Sequence, residues 1–185
     1  MKKYVLIAGV NGAGKSTLYR AIDSIQELPR INTDEIVKVF GRWDNKQDMF
    51  KASKIAVKKI KEYFNSNTSF NQETTLCGKS IIANIDKAKS LGYYIELHYV
   101  SVENVDIALE RISHRVKAGG HGIPEKDVRR RFDESLNSLV AVLPKCDQVI
   151  LYDNTIGFNR FAIYENGILR RISSNTPEWY KKLQI

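Results

Sequence analysis

Gly9-Val10-Asn11-Gly12-Ala13-Gly14-Lys15-Ser16-Thr17 is the stretch that decides the fold. Its spacing, Gly-x-x-x-x-Gly-Lys-Ser, is that of a phosphate-binding P-loop. Glycines let the backbone wind so that several N–H groups converge on phosphate oxygens. A helix that starts directly behind them adds the partial positive charge of its N-terminus. Both flanks fit: Tyr4–Ala8 is a short apolar strand, and Lys15 to about Ser24 reads as a helix. Gly9, Asn11, Gly12, Ala13, Gly14, Lys15, Ser16 and Thr17 are thus the expected ATP-binding residues. Lys15 would reach the β and γ phosphates, and the Ser16 hydroxyl would join the shell of a Mg²⁺ ion.

Outward from this loop, strands and helices alternate. Short strands are expected at Arg30–Asn32, Ser69–Thr74, Tyr94–Val102 and Gln148–Asp153. Helices are expected at Thr33–Phe40, Met49–Phe64, Lys79–Leu91 and Val105–Val116, and again from Pro124 onward. Ile55, Ala56, Ile60 and Phe64 repeat at helical spacing. Asn166-Gly167 between two apolar runs signals a β-hairpin. The alternation implies an α/β fold. It reads as a three-layer P-loop fold with a central, mainly parallel five-stranded sheet and a C-terminal antiparallel hairpin. The 185 residues suit a single domain, 1–185, with a lid at about 111–131.

An apolar fraction of 43% supports a globular core, and no window is apolar enough to cross a membrane. The apolar run at Tyr4–Ala8 is too short for a signal-peptide core, so a cytoplasmic protein is expected. Cys77 and Cys146 have no metal-type spacing and read as reduced bystander thiols. The net charge of +8 suits polyanionic partners, nucleotides among them. There is no RNP run, zinc spacing or helix-turn-helix signature to point to nucleic acid.

Three further segments carry chemistry. Asp34, at the end of the second strand, is placed to accept a proton from a substrate hydroxyl. The rival reading makes it a first-turn acid in a capping box formed by Asn32 and Glu35. Ser69–Thr75 is polar for a parallel strand, so it is either an edge strand or faces a ligand. In the second case Glu73 holds substrate or a Mg²⁺-bound water, and Thr75 bonds a phosphate or sugar. Arg111 and Arg115 share one helix face. Beyond them come Gly119-Gly120-His121-Gly122 and then Arg129-Arg130-Arg131. Arginines on a glycine-hinged lid suit the spread charge of a phosphoryl group in transfer. His121 reads as a loop hydrogen-bonder on the substrate side.

Taken in order, these segments resemble the zeta toxin-like P-loop kinases, in their short, single-domain branch. The resemblance rests on the loop itself, Asn32-Thr33-Asp34-Glu35, Glu73-Thr74-Thr75-Leu76, and Arg115 through Gly119–Pro124 to Arg130-Arg131. It covers roughly residues 3–172. It implies an ATP- and Mg²⁺-dependent kinase that acts on a hydroxyl-bearing small molecule. In the zeta toxins that is the 3′-hydroxyl of the amino sugar in UDP-N-acetylglucosamine. It also implies an antitoxin protein as partner. By the same resemblance Asp34 falls on the catalytic base and Lys15 on the P-loop lysine. Glu73 and Thr75 fall on the substrate side, and Arg111 or Arg115, with Arg130, on the lid arginines. The chain lacks much of the longer toxins' substrate-side insertion. Two other classes share parts of the pattern. One is an ABC-like ATPase, for which Val149–Asp153 mimics an apolar strand ending in an acid. The other is a polynucleotide kinase or nucleic-acid-binding protein.

Overall fold

A strand that is apolar at every position needs cover on both faces, and Tyr4–Ala8 has it: each of its residues is fully buried or nearly so. The structure, a computed structural model, describes residues 1–185. The elements are β1 (Lys3–Gly9), α1 (Lys15–Arg20), α2 (Asp23–Gln26), β2 (Arg30–Ile31), α3 (Thr33–Lys38) and α4 (Lys46–Asn65). Then follow β3 (Phe70–Thr74), α5 (Lys79–Ser90), β4 (Tyr94–Ser101), α6 (Val105–Lys117) and α7 (Glu125–Val142). The chain ends with β5 (Gln148–Asp153), β6 (Asn159–Glu165), β7 (Ile168–Ile172) and α8 (Glu178–Lys181).

All strands form one sheet in the order β2-β3-β1-β4-β5-β6-β7. The first five are parallel. The hairpin adds β6 and β7 antiparallel to the open side of β5, so the sheet has seven strands rather than the five expected. Alternate residues of β1 feed opposite faces. Tyr4, Leu6 and Ala8 enter the larger core under α4 and α5, while Val5 and Ile7 enter the smaller one with α1, α6 and part of α7. The expected helix from Lys15 to Ser24 is two helices. Ile22 between them has extended backbone and turns inward to pack on the smaller core.

The polar strand β3 is not an edge: it pairs with β1 on one side and β2 on the other. One of its polar residues is structural. Asn71 is fully buried, and its Nδ2 donates to the carbonyls of Ile25 and Leu28, each at 3.0 Å. That fastens the connection between α2 and β2 to the sheet.

The short α8 closes the far side. Trp179, 2% exposed, packs against Tyr99 and Phe161, and its Nε1 donates to Asp153 Oδ1 at 2.9 Å. Tyr180 meets Tyr164 through their hydroxyls at 2.6 Å. No helix is long and apolar enough to cross a membrane. Trp179→Ala should cost about 3–5 kcal/mol, as expected for a fully buried tryptophan. Urea unfolding of the variant, at an unchanged m-value, checks this.

Candidate active site

The P-loop leaves the carboxyl end of β1, where parallel α/β sheets bind ligands. Gly9 has φ 139°, and a Cβ there would lie 1.9 Å from the Val100 carbonyl oxygen, so no other residue fits. Lys15 is buried, with Nζ donating to the carbonyls of Gly9 (3.0 Å) and Val10 (3.1 Å). Burial pulls its pKa below the ordinary lysine value, while the carboxylates of Glu73 and Asp34 work against that. Asn154, just beyond β5, braces the loop by donating Nδ2 to the Ala13 carbonyl at 2.8 Å.

Glu73 is the hub of the site. Its carboxylate accepts from Ser16 Oγ at 3.2 Å, Arg30 Nη2 at 2.5 Å and Asn32 Nδ2 at 3.0 Å. Arg30 lies over the Tyr19 ring, its guanidinium carbon 3.5 Å from the centroid, and also reaches Glu35 at 3.3 Å. This changes the reading of the α3 N-terminus. Asn32 caps the helix by accepting from the Asp34 N–H at 2.8 Å, but Glu35 turns to Arg30 instead of closing a capping box. The Asp34 side chain is left facing the cavity, with Oδ2 at 3.5 Å from His121 Nε2.

Two cavities meet here. The larger, about 790 Å³, is lined by Asp34, Glu73, Thr75, Cys77, His121 and Arg130 among others. The smaller, about 230 Å³, lies over the P-loop and includes Gly12, Gly14, Thr17 and Arg111. Lys15, Ser16, Glu73 and Arg115 line both and form the junction. Two junction-side polar atoms are buried without a protein partner: Asn11 Oδ1 and Arg115 Nη2. Such atoms are costly unless a ligand or water satisfies them.

The arginines separate by position. Arg111 donates Nη2 to the Thr155 carbonyl at 3.0 Å beside the P-loop. Arg115 donates Nε to the His121 carbonyl at 3.1 Å. It is held close because Gly120 packs on it: a Cβ at Gly120 would lie 2.6 Å from Arg115 Cγ. Arg130 lines the larger cavity but not the smaller, tied to Glu134 (2.7 Å) and Asp127 (3.3 Å). Arg129 instead pairs with Glu125 and Asp106.

Asp153 lines neither cavity. Its carboxylate accepts from the Thr155 backbone and hydroxyl and from Trp179. His98 pairs with Glu96 and Tyr152 away from both cavities. Both cysteines are free thiols, and burial raises the pKa of Cys77. Sequence reasoning missed Arg30 and Trp43 as site residues, and read Asn154 only within Asp153–Thr155, as a loop near the adenine or as strand-end turn chemistry. Only Asn154, in the loop after β5, carried a signal, as a turn-forming residue.

The family profile described as Zeta toxin matches residues 1–166. The chain belongs to the zeta toxin family. An uncharacterised protein of Haemophilus influenzae is 35% identical over 132 residues, which is 70% of this chain and 92% of that one. Two solved structures share the fold of this zeta toxin family member. The AvrRxo1-ORF1:AvrRxo1-ORF2 complex with sulphate ions matches with a TM-score of 0.74 at 14% identity over 99% of the chain. The PezAT toxin–antitoxin system of Streptococcus pneumoniae matches with a TM-score of 0.63 at 12% identity, over 100% of this chain and 83% of that one. The chain spans 63% of the AvrRxo1-complex chain that it matches. Family and fold agree: a zeta toxin family chain on an α/β P-loop fold.

The Glu73–Arg30 pair is about nine-tenths buried on both sides. Removing Glu73 leaves the buried Arg30 with only the longer contact to the half-exposed Glu35, so Glu73→Ala should cost up to about 3–5 kcal/mol of stability. Thermal unfolding without nucleotide measures it. Glu73→Gln, which keeps the acceptor oxygen, should lose less.

Proposed function

We propose that the protein transfers the γ-phosphoryl group of ATP to a hydroxyl of a small molecule, with the two cavities as donor and acceptor sites. The observation that carries this is their shared wall of Lys15, Ser16, Glu73 and Arg115. A phosphoryl group passing from one cavity to the other crosses three of the charges such a transfer requires: an ammonium, a guanidinium and a carboxylate. In this reading the backbone of Gly9–Thr17 cradles the phosphates. Asp34 accepts the proton of the acceptor hydroxyl. The hydroxyl oxygen bonds to the γ-phosphorus, and the bond from that phosphorus to the ADP oxygen breaks. Lys15, Arg111 and Arg115 offset the charge that spreads over the phosphoryl oxygens. Arg130, Glu73, Thr75 and His121 face the acceptor.

The donor set also fits a divalent cation. Ser16 Oγ lies 3.2 Å from both oxygens of Glu73, which are the hard oxygen ligands Mg²⁺ prefers. Ser16 would hold the ion, with Glu73 acting directly or through one of its waters. The ion would neutralise phosphate charge.

Among acceptors we favour a nucleotide sugar, with the 3′-hydroxyl of UDP-N-acetylglucosamine as first choice. The larger cavity adjoins a groove of about 480 Å³ between α4 and α5, with which it shares Thr33, Ser53 and Gln72. That groove has an apolar floor of Ala56, Ile60 and Phe64. Lys61 and Lys87 line it and no carboxylate does, which suits an anionic acceptor with an apolar part. The domain then comprises residues 1–185, with residues 111–131 as its lid. Both structural neighbours come from two-component assemblies, one named for a toxin and its antitoxin. This supports an antitoxin partner here.

Incubation with ATP, Mg²⁺ and a panel of nucleotide sugars, read by mass spectrometry for the gain of one phosphate, tests the reading. Steady ATP hydrolysis with no transfer to any acceptor would point to an ATPase instead. Asp34→Asn should lower transfer by about 10²–10⁴-fold while ATP affinity stays nearly unchanged. Lys15→Ala should weaken both ATP binding and transfer, and wild-type values in that variant would sink the assignment.

A further inference from the structure

His121 rides on the glycine loop between α6 and α7, yet its ring is held on several sides. One face stacks on the indole of Trp43, with centroids 5.3 Å apart and planes 23° from parallel. Its Nε2 is 3.5 Å from Asp34 Oδ2. Its backbone carbonyl accepts from Arg115 Nε at 3.1 Å. Trp43, in the loop between α3 and α4, donates Nε1 to the Asp34 carbonyl at 3.3 Å, and the Lys38 ammonium sits 5.3 Å from its ring centroid. One lid residue therefore touches the Asp34 carboxylate of the larger cavity and Arg115, which both cavities share, and rests on an indole anchored to the backbone of Asp34.

This inference rests on the kinase reading. We propose that His121 is a positioning residue: it holds the Asp34 carboxylate, and holds Arg115 beside it, only while the glycine loop lies on Trp43, so that the base is competent only under a closed lid. At 3.5 Å the pair is a close contact; a neutral imidazole in the Nε2–H tautomer would direct its hydrogen to Oδ2 as that contact shortens and leave Oδ1 for the proton of the acceptor hydroxyl. An imidazolium would hold the same carboxylate as an ion pair and lower its basicity. Burial keeps the His121 pKa below the ordinary value, with the Asp34 charge pulling upward and Arg115 and Lys38 pushing further down. The other charged groups around this cavity are Lys15, Lys46 and Glu73, and from α7 Asp127, Arg130, Arg131 and Glu134. The neutral form thus prevails at neutral pH, and transfer should fall only as pH drops through the lowered His121 midpoint, on the acid side of the ordinary histidine range.

The chain has only three histidines, His98, His114 and His121, so each ring can be followed by NMR through a pH titration. Asp34→Asn removes the only acid that raises the His121 midpoint and should lower it by about one pH unit. An unchanged midpoint overturns the contact, whatever the acceptor proves to be. For the role, His121→Ala should cut kcat for phosphoryl transfer about 10–100-fold, the scale of a misplaced catalytic group, and leave KM for ATP unchanged. His121→Gln places an amide N–H near the Nε2 position. It should restore most of kcat and lose the decline of activity at low pH. Full transfer in the alanine variant, or a glutamine variant as poor as alanine, overturns the positioning role. If Asp34→Asn itself transfers at the wild-type rate, the base assignment fails, and the NMR titration still reports separately on the contact.

Discussion

A carboxylate drawn out of water must find cations and N–H or O–H donors, or the fold loses the free energy of its hydration. At the end of β3 this requirement organises the site. Glu73 takes Ser16 from the start of α1, Arg30 from β2 and Asn32 from the cap of α3. Three chain segments are fixed to one another through a single side chain. Because Asn32 is occupied as cap and as Glu73 donor, and Glu35 by Arg30, Asp34 is the acid of that helix turn left free to face the cavity. The orientation of the candidate base therefore follows from the pairing of a different carboxylate.

Much of this could be read along the chain because the chemistry is local. The glycines, lysine and serine of the loop lie within nine residues, and the apolar strand before them and helix after them give their context. Asp34 and Glu73 were legible as acids at strand ends, and the polarity of β3 marked it as unusual. Its cause is mixed: Asn71 is spent on the architecture and Glu73 on the site. That the Asp34 side chain faces the cavity, and that β3 is not an edge strand, needed the register of β3 between β1 and β2.

What stayed hidden depends on contacts between distant segments. Nothing in the local pattern of Trp43 foretells that it stacks on His121, and nothing around Asn154 says that its amide braces Ala13. Arg30 sits in a two-residue strand too short to show periodicity, yet it is held between Tyr19, Glu35 and Glu73. The break after α1 arises from tertiary packing of Ile22, which overrides a helix-compatible sequence. The three arginines of α7 look alike in sequence. Only the helix phase shows that Arg130 and Arg131 turn toward the cavity while Arg129 turns to Asp106.

The C-terminal indole extends the packed structure beyond the reach of the family likeness. The matched pattern stops at residue 166, inside the turn of the hairpin, before β7 and α8 begin. Yet Trp179 lies against Tyr99 in the parallel part of the sheet and caps Asp153, the residue that holds Thr155, and through the Thr155 carbonyl Arg111 next to the P-loop. The segment that the family likeness covers is thus shorter than the segment that packs on this sheet. The last residues, far from any phosphate in sequence, are mechanically part of the nucleotide site.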